Sequence, residues 1–456
     1  MSATSLERIK SFCSSVLTDL GAAMPVADME RLAARVHDAL AVQARSYHTP
    51  EHVFAIAAGL NPVQSLAALF HDMVYDQVDG AFTAEIAAIL APYVDRQDGE
   101  LVIAACARPD DVSLALTLEV FGHELGAPLP FAGRNELLSA LVMNLELVGR
   151  VGIRELLKAT ACIEATIPFR ERNERGETPA EALERRLCSV SPAFGLAMGL
   201  DEVREAVQWA VELSNHDVAG FADGDPARFL DRTWQLLPES NPCLRVRPAC
   251  SIRDYRQALQ KTRTFLASLA PEQVFARYRG FPPEDRYRML LARTERNLDL
   301  ARRYVDLRVL AVVVLEALAS VAGGDVPSAW RMDSFAKGAD GALALEDVLP
   351  RLPVCAAVAT SDELYHLLAP VHDPQATVNH RYSPLALFIY EQVELSRFPQ
   401  LFQAADQVCE GSLSAAQFLG LFPRELIAAI AESVAGLPVS DRGALRAYAA
   451  ALRGGL

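Results

Sequence analysis

The chain lacks a concentrated patch of lysine and arginine. Its 456 residues include 43 basic and 58 acidic residues, which give a formal net charge of −15. Proteins that bind nucleic acid or an anionic membrane surface normally present a basic patch. We therefore expect neither nucleic acid nor a membrane among the partners of this protein, whereas a homo-oligomer is compatible with the sequence.

Signals for export or membrane insertion are also missing. The N-terminal segment carries charges where a signal peptide needs an apolar stretch, and the most apolar run, residues 309–324, is interrupted by Glu316 and too short to span a bilayer. The eight cysteines are scattered without a CxxC pair, which favours reduced, buried thiols over a disulfide framework or a zinc knuckle. These features predict a cytoplasmic protein.

Runs of alternating β-branched residues are almost absent, and there is no sustained heptad or internal repeat. Apolar residues instead recur every three or four positions, and 51% of the chain is hydrophobic, which is enough for a large core. Pairs such as Thr49-Pro50 and Asn61-Pro62 are typical of helix starts. The sequence predicts an all-α fold rather than a coiled coil or a solenoid.

Two stretches rich in proline or glycine are candidate domain joints, residues 236–248 and residues 322–328. The helical segments between these stretches could pack onto the first half of the chain. We therefore predict a first domain over residues 1–325 and a helical C-terminal region of unknown role over residues 326–456.

Histidines and an aspartate cluster early in the chain. His48 and His52 are four positions apart in "HTPEH", so both can face one cavity from the start of a helix. His71 and Asp72 follow the apolar run of residues 66–70 and should emerge at the end of a buried helix. Neutral imidazoles and carboxylates are suitable ligands for a divalent transition metal.

The dipeptide His-Asp occurs four times, in two kinds of context. His37-Asp38 lies in an amphipathic helix with charged neighbours and His372-Asp373 precedes a proline, so both are predicted to be surface features. His71-Asp72 and His216-Asp217 instead follow apolar helical segments. Buried polar clusters need partners or a metal to offset their desolvation, so the second kind predicts a site.

The segments "YHTPEHV" and "LAALFHDMVYD" together resemble the HD superfamily of metal-dependent phosphohydrolases, and the Tyr-His-x-x-x-His form is similar to that of its cyclic-nucleotide phosphodiesterases. The resemblance implies an HD-domain-like helical bundle. It also implies that His52, His71 and Asp72 bind a divalent metal, with Mn, Zn, Mg and Fe all open, and that His48 protonates the leaving oxygen.

The family requires one further acidic ligand. "VELSNHD" resembles a phosphodiesterase segment that would align Glu212 with this ligand, whereas the polar cluster around Asn215 and His216 favours Asp217. We select Asp217 and keep Glu212 as the alternative. Ala161 stands where a related phosphodiesterase helix has an aspartate, which is a departure from the cyclic-nucleotide members of the family.

The expected function is a metal-dependent phosphohydrolase that acts on a nucleotide or another small phosphoester through activated water. Asp76 is predicted to orient this water or to hold a second metal, or else to be a helix-end carboxylate. Arg170 or Arg172 could bind phosphate, although an Arg/Glu-rich stretch is more often a solvated face.

Two other functions remain open. The same ligands could hold two irons in an oxygenase, which would need additional ligands, or the HD site could be vestigial in a regulatory module. The remaining prominent side chains are expected to be structural or exposed: His123, His366, His380, Trp209 and Trp234.

Overall fold

The computed structural model is predominantly helical, with 70% helix and 3% strand. The prediction of an all-α fold is confirmed at this level. The residues that the structure describes are 4–22, 24–97, 99–104, 111–245, 251–323, 348–355, 362–369, 383–437 and 442–454. Among the described helices, none is both long and apolar enough to cross a membrane.

The chain divides into two compact units, and the first contains residues 1–222 and 269–295. Its helices are α1 Ser5–Asp19, α2 Val26–Leu40, α3 Pro50–Ala57, α4 Pro62–Phe70, α5 Asp76–Asp79, α6 Ala84–Leu90, α7 Val112–Phe121, α8 Arg134–Leu147, α9 Ile153–Ala165, α10 Pro179–Ala193 and α11 Leu200–Asp217, with a 3-10 turn at Ala219–Ala222. Strands β1 Val94–Gln97 and β2 Glu100–Ile103 form an antiparallel hairpin in which Val94 pairs with Ile103.

The second unit contains residues 223–268 and 296–456. Its helices begin with α12 Pro226–Ser240 and α13 Ile252–Ser268, while α14 Pro271–Val274 belongs to the first unit and α15 Glu284–Val321 starts there. The later helices are α16 Glu363–Leu368, α17 Pro384–Gln392, α18 Phe398–Cys409, α19 Ala415–Leu419, α20 Arg424–Gly436 and α21 Arg442–Gly454, with 3-10 turns at Pro242–Arg245 and Leu395–Arg397.

This division differs from the predicted domains of residues 1–325 and 326–456. The predicted boundary lies outside the described residues, whereas residues 223–268 already belong to the second unit and α15 continues without a break from one unit into the other. Proline and glycine mark interruptions of helices, but the core that a following helix joins is decided by its packing.

The first unit is built around α9, which packs against α4, α7, α8, α10 and α11. Residues 156–164 of this helix are all buried, so it is surrounded on every side. Helix α4 is equally enclosed, since every residue from Val63 to Phe70 is buried. The polar residues that follow α4 are therefore held at the end of a rigid, buried helix.

A polar network lies inside this apolar core. The side-chain amide of Asn144 on α8 donates to the hydroxyl oxygen of Thr117 at 2.9 Å and to that of Thr160 at 3.0 Å. All three residues are fully buried. Because buried polar groups are costly unless paired, this network favours one register of α7, α8 and α9 over others.

We expect Asn144→Ala to lower the free energy of unfolding by about 1–3 kcal/mol, because it leaves Thr160 without its amide partner in the core. Urea denaturation followed by circular dichroism measures this loss. Thr117→Val, which removes a single hydroxyl and keeps the volume, should cost less. An Asn144→Ala protein with an unchanged denaturation midpoint would contradict a stabilising role for the network.

Candidate metal centre

Two short helices position two histidines of the site, His52 and His71. Helix α3 begins at Pro50 with Thr49 in the N-cap position, although the Thr49 hydroxyl makes no capping hydrogen bond. Helix α4 begins at Pro62 and is capped by Asn61, whose side chain accepts from the backbone of Gln64. His52 consequently lies in the first turn of α3, while His71 follows the last residue of α4.

Four of the predicted residues converge at one point. Asp217, the last residue of α11, places its Oδ1 2.9 Å from His52 Nε2 and 3.7 Å from His71 Nε2. Asp72 Oδ2 lies 2.9 Å from His71 Nε2 and 3.8 Å from His52 Nε2. Donor atoms of His52, His71 and Asp72 all lie within 4.8 Å of one another.

Two buried atoms of this cluster are suited to bind a cation. Among the residues that the structure describes, His71 Nε2 and Asp72 Oδ2 are buried and have no partner with hydrogen-bond geometry. The other ring nitrogen of His71, Nδ1, lies 2.9 Å from the carbonyl oxygen of Ala68. When the ring is neutral and Nδ1 donates to this carbonyl, the Nε2 lone pair faces the cluster, which is the arrangement found in metal-binding histidines.

The charges of the cluster favour a cation. Burial tends to raise the pKa of Asp72, but the imidazoles of His71, His48 and His52 hold it well below its ordinary value. The pKa of Asp217 is lowered in the same way by His52 and His71. Burial tends to lower the pKa of His71, yet the two carboxylates raise it well above 6.5. Two buried carboxylates are thus ionised, and a divalent cation would neutralise both.

The structure places Asp217, and not Glu212, against the histidines. Glu212 lies more than a turn earlier on α11, and its carboxylate accepts a hydrogen bond of 2.9 Å from the buried side chain of Gln64. Asp217 is held at the site because neighbouring His216 contacts the carbonyl oxygen of Ile56 on α3 through Nδ1 at 3.0 Å. His216 therefore connects the ends of two helices.

His48 stands beside the cluster. Its ring centroid is 5.7 Å from that of His52 and 4.6 Å from that of Tyr75, with edge-to-face geometry in both pairs. The side chain is half-buried. This position is adjacent to His52 but outside the set of four proposed ligands, and the role of His48 as a proton donor remains a prediction.

Asp76 forms a half-buried ion pair. Its carboxylate lies 3.0 Å from the guanidinium group of Arg134, which begins α8. That Asp76 orients water or holds a second metal remains a prediction. Its carboxylate does not belong to the group of ligand atoms, from His52, His71 and Asp72, that lie within 4.8 Å of one another.

The two arginines predicted to bind phosphate, Arg170 and Arg172, form ion pairs with glutamates. Arg170 pairs with the buried carboxylate of Glu164 at 2.6 Å, and the Arg172 side chain is 65% exposed. These contacts agree with a structural arginine and a solvated one. Of the remaining His-Asp pairs, His37-Asp38 lies at the surface only in part. The imidazole of His37 is half-buried and hydrogen-bonded to the Ser5 hydroxyl, whereas the Asp38 carboxylate is exposed. The pair His372-Asp373 lies outside the described residues.

The side chains expected to be structural fall into three groups. Trp234 is buried, and Trp209 packs against the main hydrophobic core. His123 is half-buried and lies 3.3 Å from the carbonyl oxygen of Ala127, while His366 is exposed. His380 lies outside the described residues.

A buried arginine supports the His-Asp pair, and the sequence analysis missed it. Arg45 binds both carboxylate oxygens of Asp79, at 3.0 and 2.6 Å, and donates a third bond of 2.5 Å to the backbone carbonyl of Asp72. Its side chain is completely buried. An arginine three residues before His48 was the available signal, but only the fold shows that it reaches the Asp72 backbone.

Comparisons of the chain with protein-family models, with curated proteins and with solved structures each found no match. The resemblance to the HD superfamily therefore rests on the motif residues themselves.

We expect the protein to bind a divalent metal through His52, His71, Asp72 and Asp217. Removal of metal by a chelator should lower the melting temperature, and a metal at one hundred times its Kd should stabilise the fold by about 2.7 kcal/mol. His71→Ala should abolish this response, as measured by elemental analysis and calorimetry. The matched control is His37→Ala, which alters another His-Asp pair; equal metal loss in both variants would contradict the assignment.

We expect Arg45→Ala to destabilise the protein by about 3–5 kcal/mol, because it leaves the Asp79 carboxylate buried without its cation. It should also weaken metal binding, since the Asp72 backbone loses its donor. Arg185→Ala is the matched control: Arg185 also binds both oxygens of a carboxylate, that of Glu177, but at an exposed position, and its loss should cost at most about 1 kcal/mol. Similar losses in denaturation experiments would contradict the supporting role of Arg45.

Proposed function

We propose that this protein is a metal-dependent phosphohydrolase that acts on a nucleotide or another small phosphoester. The observation that carries the proposal is the convergence of His52, His71, Asp72 and Asp217. In the described part of the chain, the buried Nε2 of His71 and Oδ2 of Asp72 have no hydrogen-bond partner. The sequence resemblance to the HD superfamily, which rests on His52, His71 and Asp72, is compatible with the same function.

The donor set of the cluster suits this chemistry. Two imidazole nitrogens and two carboxylates from α3, α4 and α11 would hold the cation, and mixed nitrogen and oxygen ligands are compatible with Mn, Zn, Mg or Fe. When bound, a divalent cation lowers the pKa of water and neutralises charge on phosphoryl oxygens. The rigid ends of the buried helices keep the ligands oriented, so little reorganisation is required on binding.

His48 supplies the second requirement of phosphoester hydrolysis, a proton for the departing oxygen. Its imidazole lies next to His52 but outside the ligand set, so it can face a substrate bound at the centre. A histidine is suited to this role because its protonated form is available near neutral pH.

The test is a panel of linear and cyclic phosphoesters, each assayed with Mn, Zn, Mg and Fe. We expect His48→Ala to lower kcat by about 10²–10⁴-fold while the metal content stays at the wild-type value. His123→Ala is the matched control, since His123 is a half-buried histidine of the same unit that contacts the carbonyl oxygen of Ala127.

Three results would argue against the proposal. Loss of metal from His48→Ala would make His48 a ligand and not an acid. Stoichiometric iron with oxygen consumption would favour an oxygenase. Unchanged metal content and activity in His71→Ala and Asp72→Ala would exclude this cluster and favour a regulatory module.

A further inference from the structure

The proposed proton donor, His48, lies in a bend of the chain. Residues 46–49 form this bend directly before α3, and His48 is half-buried. A general acid has to lie within hydrogen-bond reach of the leaving oxygen, and a misplacement of about 1 Å can cost about 100-fold in rate. Because a bend holds its side chains less firmly than a helix does, the contacts of the His48 ring matter for its orientation.

Two tyrosine rings contact the His48 imidazole edge-to-face. The ring centroid of Tyr47 is 4.9 Å away with an interplanar angle of 75°, and that of Tyr75 is 4.6 Å away with an angle of 82°. Pairs of this geometry are favourable because the positive edge of one ring meets the negative face of the other. Tyr47 is adjacent to His48 in sequence, whereas Tyr75 comes from the segment that follows α4, so the fold itself brings Tyr75 to the imidazole.

The segment that carries Tyr75 is anchored on both sides of this residue. The backbone N–H of Val74 donates to the hydroxyl oxygen of Ser139 on α8 at 2.9 Å. The carboxylate of Asp76 lies 3.0 Å from the guanidinium group of Arg134, also on α8. Because both neighbours of Tyr75 are attached to one helix, the backbone presents its ring from a fixed position.

The contacts of the two tyrosines differ. Tyr47 also lies 4.9 Å from the ring of His52, a proposed metal ligand. Tyr75 contacts His48 and the completely buried Arg45, whose guanidinium carbon is 5.7 Å from the centroid of the Tyr75 ring. Replacement of Tyr47 would therefore disturb a ligand directly, whereas replacement of Tyr75 removes a contact of the proton donor.

We propose that Tyr75 is a positioning residue for the reaction, whose ring holds the His48 imidazole in the orientation required for proton donation. The proposal rests on the proposed function for the role of His48, but the packing of His48 against Tyr75 can be tested without turnover. It follows from the edge-to-face contact at 4.6 Å and from the anchoring of the segment that carries Tyr75. Tyr75 acts through His48 and not on the substrate.

The experiment is a double-mutant cycle in the full-length protein, with Tyr75→Leu, His48→Ala and the double variant. Each protein is loaded with the metal, and assayed with the phosphoester, that give the highest wild-type turnover. We expect Tyr75→Leu to lower kcat by up to about 100-fold, with KM and metal content at the wild-type values. In the His48→Ala background the same substitution should change kcat by less than about 2-fold, because the residue that Tyr75 orients is gone.

Two further variants separate the ring from the hydroxyl group and from stability. Tyr75→Phe keeps the ring, so its kcat should match wild type; a loss as large as that of Tyr75→Leu would assign the effect to the hydroxyl and overturn the proposal. The matched control is Tyr93→Leu, since Tyr93 is a half-buried tyrosine of the same unit that packs against the main core and donates to Asp111 at 2.7 Å. Tyr93→Leu should lower the melting temperature but not kcat.

A tyrosine that only fills space would give a different result. Tyr75→Leu would then lower kcat by the same factor with and without the His48 side chain, and the proposal would be wrong. If circular dichroism shows that Tyr75→Leu does not fold, Tyr75→Met takes its place in the cycle, because the flexible thioether side chain fills irregular space.

A measurement without turnover distinguishes failure of this proposal from failure of the proposed function. Carbethoxylation of His48 by diethyl pyrocarbonate, followed by mass spectrometry, reports the access to its imidazole. We expect Tyr75→Leu to raise the rate of this modification, because the ring loses a neighbour that covers it, and Tyr93→Leu to leave the rate unchanged. If the wild-type protein hydrolyses no phosphoester, the proposed function fails; a raised rate in Tyr75→Leu would still support the packing of His48 against Tyr75, and an unchanged rate would exclude it.

Discussion

The structure around the site depends on the burial of two ionised carboxylates, Asp72 and Asp217. Isolated buried charges are so unfavourable that a protein normally neutralises or pairs them. Here the imidazoles of His52 and His71 lie against both carboxylates and keep their pKa values low. This mutual compensation requires the ends of α3, α4 and α11 to meet, and it leaves donor atoms directed at one point.

The remaining helices serve to keep those ends in place. Helix α4 is buried along its length and α9 is enclosed by five neighbours, so neither can shift without opening the core. Arg45 donates a hydrogen bond to the backbone carbonyl of Asp72. A site on rigid helix ends, with its supporting hydrogen bonds already formed, is suited to electrostatic stabilisation of a reacting group.

Some features of the site could be predicted because they are local. The spacing of His48 and His52 and the position of His71-Asp72 after an apolar run follow directly from helical periodicity. The choice between Asp217 and Glu212 was harder, since both lie on one helix and only the hydrogen bond of Glu212 to Gln64 removes it from the histidines.

By itself, the sequence determined the helical class, the buried helix that ends at the His-Asp pair, and the residue types that make a metal centre chemically reasonable. Only the tertiary structure decided which carboxylates join the histidines, which arginine supports Asp72, and that residues 223–268 pack with the second unit and not the first. The physical reason is that periodicity sets the buried face of each helix, whereas desolvation and charge coupling depend on which helices become neighbours.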